Sequence, residues 1–331
     1  MTTFKSFVLT ETEEGLTPAY QTLTTEDLSE GDVIVRVHYS SINYKDMLAT
    51  QPHNKIIRQY PRIPGIDFSG TVIDSQHPRF QKGDQVLATG YDIGVAHDGG
   101  FSEVARVKGD WLVPLPDGLT LEEAMIIGTA GYTAALSVNA LEQNGSTPEK
   151  GPILVRGASG GVGSMAIMML QRSGYEIVAS SGNKTYVDTL KMLGADQIIS
   201  RIDNVTPKAL HKTEWQGAID PVGGASLAEV LKRVHPSGAV AVSGNASGAT
   251  FDGSVFPFIL RGVRLIGIDS VYTPMSDRQE IWHRLSTDLK PNHLHEMKHV
   301  VPFDKLPEAI EAFKEPTHHG RIVIDMSGSH K

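Results

Sequence analysis

The first third of the chain alternates short apolar runs, rich in β-branched and aromatic residues, with polar turns. The runs are Val33 to Val37, Gly70 to Ile73, Gln85 to Ala88, Phe101 to Val107 and Trp111 to Leu115. Glycine, aspartate and proline separate them, as in Glu30-Gly31-Asp32, and such clusters form tight turns. Short strands at this spacing predict a compact β-rich module, either a barrel or a sandwich.

The pattern changes after Gly118. Thr120 is followed three residues later by Glu123, which is the arrangement of a capping box and predicts the start of a helix. The stretch from Ala124 to Leu141 has no charged residue and is long enough to raise the question of a membrane span. Glycine, threonine, serine and asparagine interrupt it, so we expect a buried helix of a soluble protein instead.

From Gly151 onward, apolar strands alternate with helices. The predicted strands are Ile153 to Arg156, Glu176 to Ser180, Gln197 to Ser200, Ala218 to Asp220, Ala239 to Val242 and Val263 to Ile268. The predicted helices are Gly161 to Arg172, Tyr186 to Met192, Ser226 to Val234 and Asp277 to Leu289. This alternation is typical of a doubly wound parallel sheet. A helix from Pro307 to Phe313 and a strand from Arg321 to Ile324 are expected to return to the first module.

A glycine-rich loop directly follows the first of these strands. The segment Ala158-Ser159-Gly160-Gly161-Val162-Gly163 matches A-x-G-x-x-G, a variant of the dinucleotide-binding pattern, and it lies between an apolar strand and an apolar helix. Gly160 would let the backbone approach a pyrophosphate, and Gly163 would let the helix pack on the strand. The N–H groups at the helix start would bind the anion. A glycine-rich turn without a ligand is the alternative.

The end of the second strand indicates which dinucleotide is bound. An NAD-binding domain usually has an acid there, about 20 residues after the loop, for the ribose hydroxyl. This chain reads Ser180-Ser181-Gly182-Asn183-Lys184, with no acid. Hydroxyl, amide and ammonium donors suit a 2′-phosphate, so NADP(H) is favoured over NAD(H). Alternatively, Lys184 is only a solvated residue at a helix start.

Composition excludes several classes of protein. The 331 residues correspond to about two domains; they carry a net charge of −8 and no cysteine. A net-acidic chain without a basic run is a poor nucleic-acid binder, and the lack of cysteine excludes disulfide scaffolds and thiol nucleophiles. The start, Met1 to Lys5, lacks a signal-peptide pattern. We therefore expect a cytoplasmic protein with no nucleic-acid or membrane partner.

Four further segments carry a family resemblance. They are Ser40-Ser41-Ile42-Asn43-Tyr44-Lys45-Asp46, Pro64-Gly65-Ile66-Asp67-Phe68-Ser69-Gly70, Ile126-Ile127-Gly128-Thr129-Ala130-Gly131-Tyr132-Thr133-Ala134 and Pro257-Phe258-Ile259-Leu260-Arg261-Gly262-Val263-Arg264-Leu265. With the glycine loop, they make the chain similar to the medium-chain dehydrogenase/reductase superfamily, and within it to the YhdH/YhfP group of quinone oxidoreductases and acryloyl-CoA reductases. The resemblance covers essentially the whole chain.

The resemblance implies an α/β protein of two domains. A GroES-like β-rich catalytic domain is expected at residues 1–123 and 293–331, and a Rossmann domain with a doubly wound parallel sheet at 124–292. It also implies a homodimer joined through the edges of the Rossmann sheets, near Val263 to Ile268. The cofactor contacts that it implies for NADP(H) are Tyr44, Ser159, Gly160, Gly161, Val162, Ser181, Gly182, Asn183, Lys184, Arg201, Asn245, Ile259 and Ser270.

No metal site is expected. Zinc-dependent relatives carry a Gly-His-Glu motif and cysteine ligands, whereas this chain has Gly65-Ile66-Asp67 and no cysteine. The adjacent pair His318-His319 is interpreted as polar surface rather than as a pair of ligands.

Without a metal, NADPH is expected to reduce an alkene conjugated with a carbonyl group, because the charge moves onto the carbonyl oxygen as an enolate. Tyr44 is the candidate donor to that oxygen, or else it only orders the cofactor. Asn43 is the second candidate catalytic residue, and Asp46 is expected to be structural. Lys55, Arg58 and Arg62 would either meet a phosphate of coenzyme A or form a solvated basic loop.

The best substrate hypothesis is therefore acryloyl-CoA or a similar short enoyl thioester. A quinone reductase that uses NADPH is the alternative enzyme. A crystallin-like NADPH-binding protein with little turnover is the alternative outside enzymes.

Overall fold

The computed structural model describes residues 3–13, 15–315 and 319–330. These residues form two units. The first contains the described residues up to Thr129, Val271–Glu280 and the described residues from Leu294 onward, and the second contains Ala130–Ser270 and Ile281–His293. Each unit has its own sheet.

The regular elements are numbered in chain order. The strands are β1 (Phe4–Thr12), β2 (Gly15–Leu23), β3 (Val33–Ser41), β4 (Asp67–Ser75), β5 (Gln85–Thr89), β6 (Val104–Val107), β7 (Val113–Pro114), β8 (Ile153–Arg156), β9 (Ile177–Ser180), β10 (Gln197–Ile199), β11 (Trp215–Asp220), β12 (Val234–Val242), β13 (Arg264–Gly267), β14 (Lys298–Pro302) and β15 (Arg321–Asp325). The helices are α1 (Tyr44–Ala49), α2 (Leu121–Gln143), α3 (Gly161–Arg172), α4 (Val187–Met192), α5 (Leu227–Leu231), α6 (Phe256–Arg261), α7 (Met275–Ser286) and α8 (Leu306–Phe313).

The first unit contains a seven-stranded sheet with the order β14-β15-β3-β4-β5-β7, in which β6 also pairs with β3. The strand β15 pairs antiparallel with β3, so the C-terminal segment returns to this sheet. Alternate residues of β3, Val33 and Val35, face a core that also contains Phe68 and Phe101, as the two-residue period of a strand requires. A separate hairpin, β1–β2, completes the strands of this unit.

The second unit contains a six-stranded sheet with the order β10-β9-β8-β11-β12-β13. Every neighbouring pair in it is parallel. In order of appearance this is 3-2-1-4-5-6, the arrangement of a Rossmann fold. The strand residues Leu154, Ala218 and Val240 are buried in its core. The predicted α/β class, with a GroES-like part and a doubly wound parallel sheet, is confirmed.

The predicted capping box begins α2. The backbone N–H of Glu123 donates to Oγ1 of Thr120 at 3.1 Å, and the N–H of Thr120 donates to Oε2 of Glu123 at 2.9 Å. By length and composition α2 is the one helix in the described part of the chain that could cross a membrane, but 78% of its most apolar window is buried inside the protein. It is the core helix that the polar interruptions predicted.

Several element predictions need correction. The strand expected over Phe101 to Val107 begins only at Val104, and the helix expected over Asp277 to Leu289 runs from Met275 to Ser286. The strand expected over Trp111 to Leu115 is only Val113–Pro114, because a 3₁₀ turn at Gly109–Trp111 precedes it. The helix expected over Ser226 to Val234 ends at Leu231, and Val234 already begins β12. The stretch Val234–Val242 contains Pro236 and Ser237, and a positive φ of 62° at Ser237 bends the strand without ending it.

The segment Val271–Glu280 also differs from the expected domain bounds. Those bounds place it in the dinucleotide-binding domain, whereas it belongs to the first unit. Arg278 is fully buried there and donates hydrogen bonds to the carbonyl oxygen and the hydroxyl of Thr89, both at 2.8 Å. A buried guanidinium needs such acceptors, and β5 provides them.

Candidate functional site

The glycine loop lies at the carboxyl end of β8, where the parallel sheet of the second unit begins its first crossover. Gly157 has φ +57°, a conformation that favours glycine. The N–H of Gly160 donates to the carbonyl of Gly157 at 2.9 Å and closes the turn, and α3 begins at Gly161. A Cβ on Gly163 would collide with the backbone of Gly157 and Ala158, so Gly163 permits the close contact between helix and strand that the motif predicts.

The end of β9 approaches this loop through side chains. The hydroxyl of Ser181 donates to the hydroxyl of Ser159 at 3.2 Å and accepts the N–H of Asn183 at 3.1 Å. The amide oxygen of Asn183 accepts from the N–H and the hydroxyl of Thr185 and caps the following 3₁₀ turn. Lys184 is exposed at the start of that turn. The four residues predicted to surround a 2′-phosphate are therefore folded as one polar turn beside the glycine loop.

Arg201 also lies at this turn, although it follows β10. A Cβ on Gly182 would collide with the guanidinium of Arg201, so the absence of a side chain at Gly182 makes room for the arginine. Arg201 itself is exposed. Lysine and arginine thus flank the same turn, and no acid stands in Ser180 to Lys184.

The remaining predicted cofactor residues occupy two kinds of position. Asn245 follows β12 and Ser270 follows β13. Because carboxyl ends of parallel strands meet at one edge of a sheet, both lie at the same edge as the glycine loop. Ile259 instead lies on α6 and is 67% exposed. The structure therefore places Asn245 and Ser270 at one edge with the glycine loop, and Ile259 on the exposed surface of α6.

Sequence reasoning missed a buried ion pair beneath this edge. Arg156 ends β8 and donates to the carboxylate of Asp220, at the end of β11, at 2.5 Å, and to the hydroxyl of Ser226 at 2.5 Å. Asp220 also accepts the N–H groups of Val222 and Gly223 at 2.8 and 2.9 Å. The pair joins β8 to β11, the point at which the strand order reverses. The sequence feature that could have predicted this pair is the charged residue at the end of each apolar strand, Arg156 in β8 and Asp220 in β11.

In the first unit, the predicted residues Asn43 and Tyr44 begin α1. Asn43 is buried, and both ends of its amide are used: Nδ2 donates to Asp67 at 2.9 Å and Oδ1 accepts from Arg321 at 3.2 Å. Tyr44 is 51% exposed. The structure therefore places an accessible phenol directly after a residue that is fixed by hydrogen bonds.

Asn43 belongs to a buried polar cluster that sequence reasoning did not assemble. Asp67 accepts from Ser41 at 2.8 Å, from Asn43, and from the N–H of Thr129 at 2.9 Å. Arg321 donates to the carbonyl of Ile126 at 3.0 Å and to the hydroxyl of Ser41 at 2.9 Å. The cluster thus ties the start of α1 to the first part of α2.

Gly128 is the position at which α2 meets this cluster. Its φ of 50° and ψ of −159° interrupt the helix. A Cβ on Gly128 would lie 2.6 Å from the guanidinium of Arg321 and 2.8 Å from the carboxylate of Asp67. Both the positive φ and the crowding require glycine here.

Asp46, the third residue of α1, is the most perturbed acid of this unit. Its carboxylate accepts the N–H of Asn43 at 2.8 Å and the N–H of Ile66 at 2.9 Å. Burial, together with the negative charge of Asp67, nevertheless raises the pKa of Asp46 to about 7. The two backbone bonds oppose that rise without cancelling it. Asp46 therefore fixes the turn that carries Asn43 and Tyr44, as the structural interpretation expected.

The three basic residues that follow α1 separate into two groups. Arg62 pairs with Asp98 at 3.1 Å and donates to Ser29 at 2.9 Å, so it is part of the local structure. Lys55 and Arg58 are exposed and line a cavity of about 790 Å³. Arg62 is therefore neither an unpaired cation for a phosphate nor part of a solvated basic loop, whereas Lys55 and Arg58 leave both alternatives open.

Potential metal ligands are scattered. Among the described residues, no three histidine, aspartate or glutamate side chains lie close enough together to hold an ion. Asp67, which stands in the Gly65-Ile66-Asp67 segment, uses its carboxylate for the three hydrogen bonds described above. Of the pair His318-His319, His318 lies outside the described residues, and the ring of His319 contacts that of His299 at 5.7 Å between centroids.

Comparison with known proteins identifies the family. The alcohol dehydrogenase GroES-like domain model matches residues 29–117, and the zinc-binding dehydrogenase model matches residues 161–287. The chain is 50% identical over 328 residues to "Putative quinone oxidoreductase YhfP" of Bacillus subtilis, covering 98% of this chain and 99% of that protein. The chain belongs to the medium-chain dehydrogenase/reductase superfamily, in the family of YhfP, YhdH and AcuI. The resemblance drawn from the motifs is thereby confirmed.

Two further relatives of this family are named for a thioester substrate. The chain is 47% identical to "Probable acrylyl-CoA reductase AcuI" of Escherichia coli, covering 97% of this chain and 99% of that protein. It is 44% identical to acrylyl-CoA reductase AcuI of Ruegeria pomeroyi, covering 98% and 99% of the two chains.

Solved structures of the family differ in the dinucleotide that they hold. Bacillus subtilis YhfP, with NAD bound, is 49% identical, with a TM-score of 0.96 over 98% of this chain and 100% of that chain. Salmonella enterica YhdH, with NADP bound, is 45% identical, with a TM-score of 0.94 over 98% and 100%. Escherichia coli YhdH, with NADPH bound, is 46% identical, with a TM-score of 0.93 over 97% and 99%.

Proposed function

We propose that this protein is a zinc-independent, NADPH-dependent reductase of activated C=C bonds, and that acryloyl-CoA or a similar short enoyl thioester is its substrate. The observation that carries the substrate assignment is the 44–47% identity, over nearly the whole chain, to two proteins named for acrylyl-CoA reduction. The zinc-independent part rests on the donor set, since the chain has no cysteine and Asp67 is used by hydrogen bonds inside the polar cluster.

The carboxyl edge of the parallel sheet fits a phosphorylated dinucleotide. The glycine loop and the start of α3 offer N–H groups for the pyrophosphate. Lys184 and Arg201 offer ammonium and guanidinium donors at a turn that lacks an acid, and Ser181 orders this turn through its hydrogen bond to Ser159. These donors favour a 2′-phosphate, so we assign NADP(H) although one relative holds NAD. Ser159, Gly160, Gly161, Val162, Gly182, Asn183, Asn245, Ile259 and Ser270 are assigned with them.

Bound NADPH supplies a hydride to the β-carbon of the unsaturated thioester. In our proposal, the hydroxyl of Tyr44 donates a hydrogen bond to the thioester oxygen, where negative charge develops as the C=C bond is reduced. Its 51% exposure leaves it accessible to a substrate. A donor held in place before the reaction stabilises that charge more than water does. The proton that completes the product reaches the α-carbon from water or a side chain.

Asn43 is assigned a positioning role. Its amide is held by Asp67 and Arg321, and its N–H is held by Asp46. It therefore acts on the reaction by fixing the backbone from which Tyr44 projects, not by touching the substrate.

Quinone reduction by NADPH is the second candidate, because the relative of 50% identity is named a quinone oxidoreductase. A quinone has no phosphate, so reduction of a quinone would not need Lys55 or Arg58. The two candidates therefore differ in how turnover depends on the nucleotide part of the substrate.

Steady-state assays of purified protein test the proposal. We expect rapid loss of reduced-nicotinamide absorbance with NADPH and acryloyl-CoA, slower loss with NADH, and little with a simple quinone. Turnover with the quinone alone would support the second candidate. Tight NADPH binding with no turnover on either acceptor would support the crystallin-like alternative.

A homodimer in the cytoplasm completes the proposal. The strand β13 is an edge of the six-stranded sheet, so its outer N–H and C=O groups can pair with another chain. Large apolar side chains are exposed on it and on the neighbouring α6. They are Phe256, Ile259, Leu260 and Leu265. An edge strand beside such a patch is typical of an interface.

A further inference from the structure

A cavity in the first unit remains unused by the proposed reaction. It lies between the β1–β2 hairpin and the loop that follows α1, and its volume is about 790 Å³. That volume is within the range of sites for small molecules and cofactors. The hairpin contributes Glu11, Glu13 and Leu16, and the loop contributes Lys55, Arg58 and Tyr60 among others.

The cations of this cavity are available to a ligand. Within the described residues, neither Lys55 nor Arg58 has a hydrogen bond or an ion pair, and both are exposed. Arg62, close to them in sequence, is already paired with Asp98. An arginine binds phosphate oxygens in a bidentate way, and a lysine binds them as a point charge.

The other lining groups suit the remainder of a nucleotide. Tyr60 is half-buried against the core, and its hydroxyl accepts from Asn54 at 3.2 Å. The exposed part of this ordered ring is a stacking surface for a base. Glu11 and Glu13 are acceptors for the amino group of adenine and the hydroxyl of a ribose. Two carboxylates would be unfavourable beside a simple anion, but they match a ligand that carries both phosphates and hydrogen-bond donors.

The loop that lines the cavity is fixed to the helix that begins with Tyr44. Asn54 donates to the carbonyl of Ala49, the last residue of α1, at 2.9 Å and accepts the N–H groups of Ile56 and Ile57 at 3.0 Å. A six-residue helix is about 9 Å long. The cavity and Tyr44 are therefore held by the two ends of one short, ordered segment.

We propose that this cavity binds the phosphorylated adenosine end of coenzyme A, with Lys55 and Arg58 on its phosphates and Tyr60 against the adenine. The proposal rests on the proposed function, since it assigns the carrier part of the same thioester. The cavity would select for a CoA thioester over a free enone or a quinone, because only the CoA thioester contains a nucleotide.

A double variant, Lys55→Ala with Arg58→Ala, tests this site by direct binding. The probe is adenosine 3′,5′-bisphosphate, titrated calorimetrically into full-length protein saturated with NADPH. We expect the Kd to rise by about a hundredfold, because two charge-assisted contacts are lost and each is worth about tenfold. Lys82→Ala, an exposed lysine in another turn of the same unit, is the matched control and should leave the Kd unchanged.

Kinetics give the second readout. The double variant should raise KM for acryloyl-CoA without lowering kcat, and it should leave turnover of the N-acetylcysteamine thioester of acrylate unchanged. Equal Kd values for the bisphosphate in the double variant and the wild type, or no binding to either, would overturn the site while thioester reduction could still stand. If the bisphosphate binds in a way that depends on Lys55 and Arg58 but no thioester is reduced, the proposed function is contradicted and the nucleotide site is still supported.

Discussion

We propose that side chains at the end of β9 decide the preference for one dinucleotide. Ser181 is fixed by Ser159, Asn183 is used as a cap, and Lys184 and Arg201 remain as the cations of the turn. A 2′-phosphate gains from both cations, whereas a ribose hydroxyl gains little. The expected discrimination therefore resides in these two residues more than in the glycine loop.

Replacing both cations, as Lys184→Ala with Arg201→Ala, should raise KM for NADPH by roughly tenfold to a hundredfold, the loss expected for one or two charge-assisted contacts. KM for NADH should change little. Lys191→Ala, an exposed lysine at the end of α4, is the matched control. An equal effect on both dinucleotides would contradict the assignment.

Tyr44 has two possible roles that kinetics can separate. If it donates to the thioester oxygen, Tyr44→Phe should lower kcat by about a hundredfold, the typical loss for one such donor, with little change in KM for NADPH. If it only orders the cofactor, KM for NADPH should rise instead. Tyr272→Phe, another exposed tyrosine of the first unit, should have neither effect.

Asp46 should make stability depend on pH. Its pKa is raised to about 7 in the folded chain from 3.8, so its contribution to stability is fully present below about pH 4 and is lost as the pH rises through 7. Asp46→Asn lacks this titration. Between pH 4 and pH 8, the wild type should therefore lose stability relative to the variant, by at most about 4 kcal/mol at about 1.4 kcal/mol per pKa unit. Urea unfolding at several pH values measures this difference, and a constant difference would show that Asp46 does not titrate there.

At the scale of the element, the β8–loop–α3 unit depends on one close contact. Gly163→Ala places a Cβ against the backbone of Gly157 and Ala158, which cannot move as a flexible side chain would. We expect a loss of about 1–3 kcal/mol in the free energy of unfolding, as for other overpacked sites, and weaker binding of NADPH. Gly328→Ala, where a Cβ meets nothing within 4 Å, is the control. Unchanged thermal stability and NADPH affinity in Gly163→Ala would show that the loop can relax.

The elements differ in how far the sequence predicts them. β8 and α3 are predicted to the residue, because a continuous apolar strand, a glycine loop and an apolar helix follow one another directly. The expectations did not include β1, α1, β2, α6 or β14. Of these, β2, α6 and β14 are largely exposed and so lack a clear burial pattern, whereas β1 is buried along most of its length. The conformation of Gly128 was also not expected, because the apolar sequence around it does not indicate a residue with positive φ.

The sequence likewise predicts only part of the candidate site. The residues that the motifs specify are found at the edge of the sheet, because local sequence decides both the loop and the strand end. The polar cluster joins Asn43, Asp67 and Arg321, which lie far apart in the sequence. Hydrophobic periodicity carries no information about such pairings, so the cluster, and with it the hydrogen-bond partners of Asn43, could be found only in the structure.

At the scale of the whole molecule, the proposed dimer depends on the apolar patch beside β13. Leu260→Asp with Leu265→Asp should convert a dimer to a monomer, because burying two carboxylates in an interface is costly. Light scattering after size exclusion measures this change. Met192→Asp, which alters an exposed apolar residue on α4, should leave the mass unchanged. A wild-type protein that is already monomeric would contradict the dimer.

We propose above all that the protein moves a hydride from NADPH to the β-carbon of an enoyl thioester. The most direct test uses NADPH deuterated at the transferable C4 position, with acryloyl-CoA as acceptor and mass spectrometry and NMR of the product. We expect propanoyl-CoA with one deuterium, located on the β-carbon. Absence of propanoyl-CoA, or a product with no deuterium on that carbon, would contradict it.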